Sequence, residues 1–216
     1  MDGIQWVAHR AGNVIGGATD GARRADLVEL DVHWHRGRIE VRHAKRLWFT
    51  GRLWERWYLL DRTTARLTLA EVLDGVDPAL HLLVDLKGVT PRLSRAVRDA
   101  LADRPGYTVA TKSWWLLRPF RDDPRVRTLR SAGNRLRLAV LRWVPLPVGT
   151  DGVAVHHRLL TAPLVAELAA RGQVFTWGVT DRRRAELLVG WGVAGIIVDD
   201  LALSGRTLVE EPPQGE

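Results

Sequence analysis

Cysteine is absent from this 216-residue chain, which excludes disulfides, thiolate metal sites and thiol catalysis but leaves the compartment open. Lysine is scarce: of 32 basic residues only Lys45, Lys87 and Lys112 are lysines, a bias we read as codon composition. No apolar run approaches the ~18 residues of a membrane span. Met1-Asp2-Gly3 leads at once into a strand-like Ile4 to Ala8, with no signal-peptide pattern. The expectation is a soluble, cytoplasmic protein. Repeats, linkers and low-complexity stretches are missing as well, until Glu210-Glu211-Pro212-Pro213-Gln214-Gly215-Glu216. We expect one domain over residues 1–208 and a disordered tail over 209–216.

A hydrophobic content of 46% is ample for a single sizeable core. The net charge of +7 favours anionic partners: phosphate esters, anionic lipid surfaces or nucleic acid. The arginines are scattered, with Arg23-Arg24 and Arg182-Arg183-Arg184 the only tight runs. The second run falls on a helix predicted over Asp181 to Trp191, where a solvated face accounts for it. No nucleic-acid module signature is present, and no nucleic-acid partner is expected.

Short apolar strands alternate with amphipathic segments. Strands are predicted at Ile4 to Ala8, Leu27 to Val32 with a partner at Arg38 to Arg42, Leu80 to Leu86, Tyr107 to Thr111, Arg127 to Arg130, Gly152 to Val155, Val174 to Val179 and Ala194 to Val198. Helices are predicted at Thr68 to Leu73, Pro91 to Ala102, Arg135 to Trp143, Ala162 to Arg171 and Asp181 to Trp191. This order points to a parallel sheet, open or closed.

Three patches carry chemistry: His9-Arg10 after one apolar run, Glu29-Leu30-Asp31 inside another, and Asp85-Leu86-Lys87 at the end of a third. In extended backbone Glu29 and Asp31 project to one side, and Asp85 and Lys87 are paired likewise. Two like charges on one face repel unless a cation lies between them, and an all-oxygen set suits Mg²⁺ or Ca²⁺. The flanking Leu27, Val28, Leu30 and Val32, and Leu80, Leu82, Leu83 and Val84, read as strands buried on both faces, which argues against a solvated edge. Charged groups at the C-terminal ends of several strands describe the active face of a (β/α)8 TIM barrel, the single-domain α/β fold expected here.

At these positions the chain resembles the glycerophosphodiester phosphodiesterase family of TIM barrels. His9-Arg10-Ala11-Gly12 matches its His-Arg-Gly motif, Glu29-Leu30-Asp31-Val32 its Glu-x-Asp-Val, and His43 its second histidine. Thr68-Leu69-Ala70-Glu71-Val72-Leu73 is similar to its Thr-Leu-x-Glu-Val-Leu helix start. Val84-Asp85-Leu86-Lys87 is similar to an acidic-x-Lys strand end, and the segments 174–181 and 192–200 to its last two strands. Each patch is weak alone; six in the family's order are specific. The chain departs from the family where a Pro-Glu-Asn-Thr segment is replaced by Gly16-Gly17-Ala18-Thr19, where Ala44 follows His43, and where Arg36-Gly37 stands for an Asp-Gly turn. The compact loop and Asp85 also resemble the sphingomyelinase D-like phospholipases, which form a cyclic phosphate.

The resemblance implies a metal-dependent phosphodiesterase acting on a glycerophosphodiester or (lyso)phospholipid. Glu29, Asp31 and Asp85 would hold one divalent cation, Mg²⁺ or Ca²⁺, and His9 and His43 would be the acid–base pair. Arg10, Lys87 and Trp177 would contact substrate. For Lys87 a structural salt bridge, and for Trp177 core packing, stand as alternatives, and His33, His35, His81, His156 and His157 read as packed or exposed residues. Trp48, Phe49, Trp54, Trp57, Tyr58, Trp114 and Trp115 are placed on rim loops, where they would meet an acyl chain or an anionic membrane surface or cap the barrel mouth. A barrel that has lost turnover and binds anionic lipid is the remaining alternative.

Overall fold

Strands apolar on both faces must be covered on both, and here the sheet covers one face by closing on itself. The structure, a computed structural model, describes residues 3–14, 16–43, 45–46, 53–55, 58–60, 67–145 and 149–204; for 45–46, 53–55 and 58–60 it gives the backbone alone. The expected tail, Ala44, Trp48, Phe49 and Trp57 lie outside the described residues, as do the side chains of Trp54 and Tyr58.

The strands are β1 (Gln5–Ala8), β2 (Leu27–His35), β3 (Arg38–Val41), β4 (Lys45–Arg46), β5 (Leu53–Glu55), β6 (Tyr58–Leu60), β7 (Leu82–Leu86), β8 (Tyr107–Thr111), β9 (Val126–Ala132), β10 (Gly152–His156), β11 (Gln173–Val179) and β12 (Gly195–Val198). Eight of them are joined in the order β1-β12-β11-β10-β9-β8-β7-β2, and β1 pairs again with β2 through Val7↔Leu27 and Ala8↔Val28, so the all-parallel sheet closes into a barrel. The expected (β/α)8 TIM barrel is the fold observed. β3 folds back antiparallel on β2 through Arg36 and Gly37, whose φ values of 47° and 84° suit a two-residue hairpin turn. β4, β5 and β6 form a separate three-stranded sheet.

The helices are α1 (Gly17–Ala22), α2 (Leu69–Asp74), α3 (Pro91–Ala100), α4 (Arg135–Trp143), α5 (Ala162–Ala169) and α6 (Arg182–Gly190). After β8 and β12 the helical segment is 3-10, at Trp114–Phe120 and Leu201–Ser204. Thr68 caps α2 in a reciprocal box with Glu71; Asn134 and Asp181 cap α4 and α6. The sequence pattern did not announce α1, because its glycines read as loop. Gly21 is there for close packing: a methyl group on it would lie 2.9 Å from Ala11 Cβ and 3.1 Å from Ala8 Cβ.

The barrel interior is filled by Val7, Leu27, Leu83, Ala110, Leu129, Ala154, Phe175 and Ile197. Gly195 makes room for Phe175, since a Cβ there would fall 2.3 Å from the ring. Outside, two larger clusters bury the outward residues of β2, β7 and β8 under α2 and α3, and those of β9 to β12 under α4, α5 and α6. The inward row sets the position of everything functional. Side chains two residues further along each strand point the same way, one layer nearer the C-terminal mouth.

Candidate active site

Stepping two residues on from the interior core gives His9 from Val7, Glu29 from Leu27, Asp85 from Leu83, Lys112 from Ala110, Ser131 from Leu129, His156 from Ala154, Trp177 from Phe175 and Asp199 from Ile197. All eight line one cavity of about 250 Å³, joined by Arg10, His43 and Lys87. Asp31, one further step along β2, is fully buried, and β2 and β7 are in register there, with Asp31 beside Asp85.

Glu29 is 3% exposed and Asp31 0%. One carboxylate oxygen from each of Glu29, Asp31 and Asp85 lies within 4.8 Å of the others. Each carboxylate is held by its neighbours. The Arg10 backbone N–H donates to Glu29 Oε2 at 2.6 Å. The Asn13 amide donates to Asp31 Oδ2 at 2.8 Å, while the Asp31 backbone N–H donates back to Asn13 Oδ1 at 2.9 Å. Lys87 Nζ pairs with Asp31 Oδ1 at 2.7 Å and donates to Asp85 Oδ2.

The turn after β1 makes these bonds possible. Arg10 adopts a left-handed conformation, φ 55°, which costs a residue with a Cβ about 1–2 kcal/mol and directs its N–H at Glu29. Gly12 then lets the turn press on β2, for a methyl group there would lie 2.7 Å from Leu30 Cβ.

Burial, followed by repulsion from Asp31, pushes the Glu29 carboxyl well above its usual range. Burial also raises Asp85, against the pull of Lys87. Burial alone would raise Asp31, but Lys87 and the Asn13 amide outweigh it and hold that carboxyl below its usual range. For Lys87 burial opposes the charge, yet Asp85, Asp31 and Glu29 together raise its pKa, so the ammonium stays protonated. Lys87 therefore bridges two carboxylates and also lines the cavity.

His9 Nδ1 is 2.6 Å from Asp199 Oδ1. That bond places the Nδ1 proton toward the carboxylate and leaves Nε2 as the free acceptor. Burial lowers the His9 pKa below its usual value, while Asp199 works the other way. Arg10 approaches Asp31 Oδ2 at 3.7 Å through Nε. Trp177 meets His156 edge to face at 5.8 Å between ring centres.

Every proposed site residue but Asp31 thus lines the cavity, and Asp31 is buried beside the lining residue Asp85. Four polar lining residues had no role assigned from sequence: Asp199, Lys112, Ser131 and His156, the last of these read as merely packed or exposed; Asn13, which holds Asp31, was missed too. The missing signal was the two-residue step from the interior core, which becomes visible once the barrel is known. His33 is half-buried outside the cavity, its pKa lowered to about 3 by burial and by Arg42. Of Trp114 and Trp115, only the second is exposed; Trp114 packs inward and donates to the Ser131 carbonyl.

No protein-family model matches the sequence, and no curated protein matches it. Among solved structures, this chain is similar to an Oleispira antarctica phosphodiesterase in complex with the product sn-glycerol-3-phosphate, with TM-score 0.72 and 15% identity over 93% of this chain and 95% of that one. It is similar to a glycerophosphodiester phosphodiesterase from Thermotoga maritima, with TM-score 0.71 and 16% identity over 94% and 97%. A Silicibacter pomeroyi protein given the same family assignment aligns with TM-score 0.71 and 22% identity over 96% and 93%. At these identities the likeness establishes the shared barrel. Among the described residues no helix is long and apolar enough to cross a membrane.

Proposed function

We propose that the protein is a metal-dependent phosphodiesterase that cleaves a glycerophosphodiester or (lyso)phospholipid at the barrel mouth. The observation that carries this reading is the convergence of three carboxylates, two buried and one half-buried, with Lys87 and two histidines at one cavity. The fold of the three neighbours and the order of motifs in the sequence support it.

The donor set fits a hard divalent ion. It is all oxygen, and burial and mutual repulsion disfavour charge on Glu29 and Asp85, a penalty that a cation relieves. Glu29, Asp31 and Asp85 would hold it. When bound, Mg²⁺ or Ca²⁺ supplies Lewis-acid stabilisation of charge on the phosphoryl oxygens. The protein's own groups do the rest. Lys87 and Arg10 place positive charge beside the phosphate. His9, oriented by Asp199, accepts a proton from the attacking hydroxyl at Nε2, and His43 donates one to the leaving oxygen. Trp177 offers a ring face to the rest of the substrate. A lipid substrate would approach over Val89 and Trp115, which are 62% and 53% exposed and joined by the Trp115 indole N–H donating to the Val89 carbonyl at 3.4 Å. That edge would also provide the peripheral contact with an anionic membrane.

The test is release of p-nitrophenol from bis(p-nitrophenyl) phosphate with Mg²⁺, with Ca²⁺ and with chelator. Metal-dependent release that disappears in both His9→Ala and Glu29→Gln is expected. Release indifferent to chelator or to either substitution would overturn the reading.

A further inference from the structure

The order of strands around the barrel splits its mouth into two arcs of different chemistry. Among the described lining residues the carboxylates, Glu29, Asp85 and Asp199, all come from the arc β12-β1-β2-β7. The arc β8-β9-β10 supplies Lys112, Ser131 and His156 and no carboxylate. The chemistry proposed for the mouth uses none of these three.

Each of them is held in place. The Arg137 guanidinium donates to the Lys112 carbonyl, and the Trp114 indole N–H donates to the Ser131 carbonyl at 3.0 Å. The His156 ring stacks on His157 with 5.0 Å between centres and meets Trp177 edge to face. Its Nδ1 accepts the Arg158 backbone N–H at 3.2 Å, so the proton of the neutral ring sits on Nε2. Burial, then Arg158 and Lys112, lower the pKa of that ring, so it is neutral at pH 7. Nε2 lies where β11 shifts register: a Cβ on the cavity-lining Gly178 would fall 3.0 Å from it. The Lys112 side chain reaches across the end of β9 toward β11, since a Cβ on Gly133 would fall 3.8 Å from its Nζ and 3.5 Å from Trp177 Cζ2.

An ammonium, a hydroxyl and an imidazole N–H along one side of the mouth suit a group that only accepts hydrogen bonds and carries negative charge. Trp177 alone would suit a quaternary ammonium, but the Lys112 ammonium flanks the same ring and repels a second cation.

We propose that Lys112, Ser131 and His156 select phosphodiesters in which one of the two alcohols carries a second anionic group, a carboxylate or a phosphate. The inference rests on the proposed phosphodiesterase chemistry and names the substrate class of that site. The selection is one of efficiency: a choline ester is still cleaved, at lower kcat/KM.

The experiment measures kcat/KM of the full chain, with the divalent ion, for four p-nitrophenyl phosphodiesters whose second alcohol is propyl, carboxyethyl, phosphopropyl or trimethylammoniopropyl. At least one anionic diester should exceed the propyl diester by about tenfold or more, chiefly through KM, and the trimethylammonio diester should be the poorest. The better of the two anionic diesters identifies the anion as carboxylate or phosphate. Lys112→Met should bring the ratio of anionic to propyl diester to within about threefold of unity, and Lys112→Arg should keep it above that. Each ratio is taken within one variant, so a general loss of activity does not move it. A wild-type ratio near unity, a trimethylammonio diester that matches the anionic ones, or a ratio that survives Lys112→Met would overturn the inference and leave the phosphodiesterase reading standing; the last is the result if Lys112 only offsets the charge of Asp85. No turnover of any of the four would overturn both. Should Lys112→Met fail to fold, His156→Phe, which keeps the ring stack, is read by the same outcomes.

Discussion

Lys87→Met removes the cation that holds the carboxylate cluster together while leaving a side chain of similar length. In wild type the ammonium bridges Asp31 and Asp85, and Asp31 and Glu29 are almost fully buried. Breaking a buried ion pair by deleting one partner costs roughly 3–5 kcal/mol. The Lys87 side chain is itself 25% exposed, so water recovers part of that loss. We expect about 3 kcal/mol, which for a chain of this size lowers the melting midpoint by about 6–12 °C. The assay is thermal unfolding at neutral pH in chelator, repeated with Ca²⁺ or Mg²⁺. The loss should appear in chelator and shrink when the divalent ion is added, because the ion replaces the missing positive charge. A midpoint unchanged or raised in chelator would refute the reasoning, since it would mean that the three acids do not depend on Lys87 for compensation.

Asp199→Ala should lower kcat by about 10–100-fold with little change in KM. The acidic limb of its pH profile should move to lower pH, because the residue that raises the His9 pKa is gone. His81, whose pKa is lowered to about 4 by burial and then by Arg127, makes stability pH-dependent. The unfolded chain takes up its proton near pH 6.5 and the native state only near 4, so stability is full above that window and falls by about 2 kcal/mol through it, allowing for partial exposure of the ring. His81→Gln should flatten denaturant midpoints measured across that range. Gly12→Ala should cost about 2 kcal/mol and more than tenfold in turnover, because the turn must move off Leu30 and carry the Arg10 N–H and Asn13 away from the carboxylates; a fully active variant would contradict the role given to that turn.

The fold was legible where pattern and physics coincide. Continuous apolar runs such as Leu27 to Val32 marked the buried strands, and the predicted helix starts at Pro91, Arg135 and Ala162 are those observed. It was illegible where packing overrides propensity, as in the glycine-rich α1, and where a short 3-10 turn replaces a helix after β8. In the site, the period-two pairing of Glu29 with Asp31 and of Asp85 with Lys87 was readable locally. Asn13, Lys112, His156 and Asp199 were not, because each acquires its place only from closure of the barrel. The His9–Asp199 bond spans 190 residues and joins the first strand to the last. No local pattern could have supplied it.

The most direct test of the account is phosphorus NMR of the protein with glycerophosphocholine, lysophosphatidylcholine and sphingomyelin, each with Mg²⁺, with Ca²⁺ and with chelator. A new signal from an open phosphomonoester or a cyclic phosphate should grow only with the divalent ion and be absent in His9→Ala. No new signal with any substrate, or one that forms equally in chelator, would contradict it.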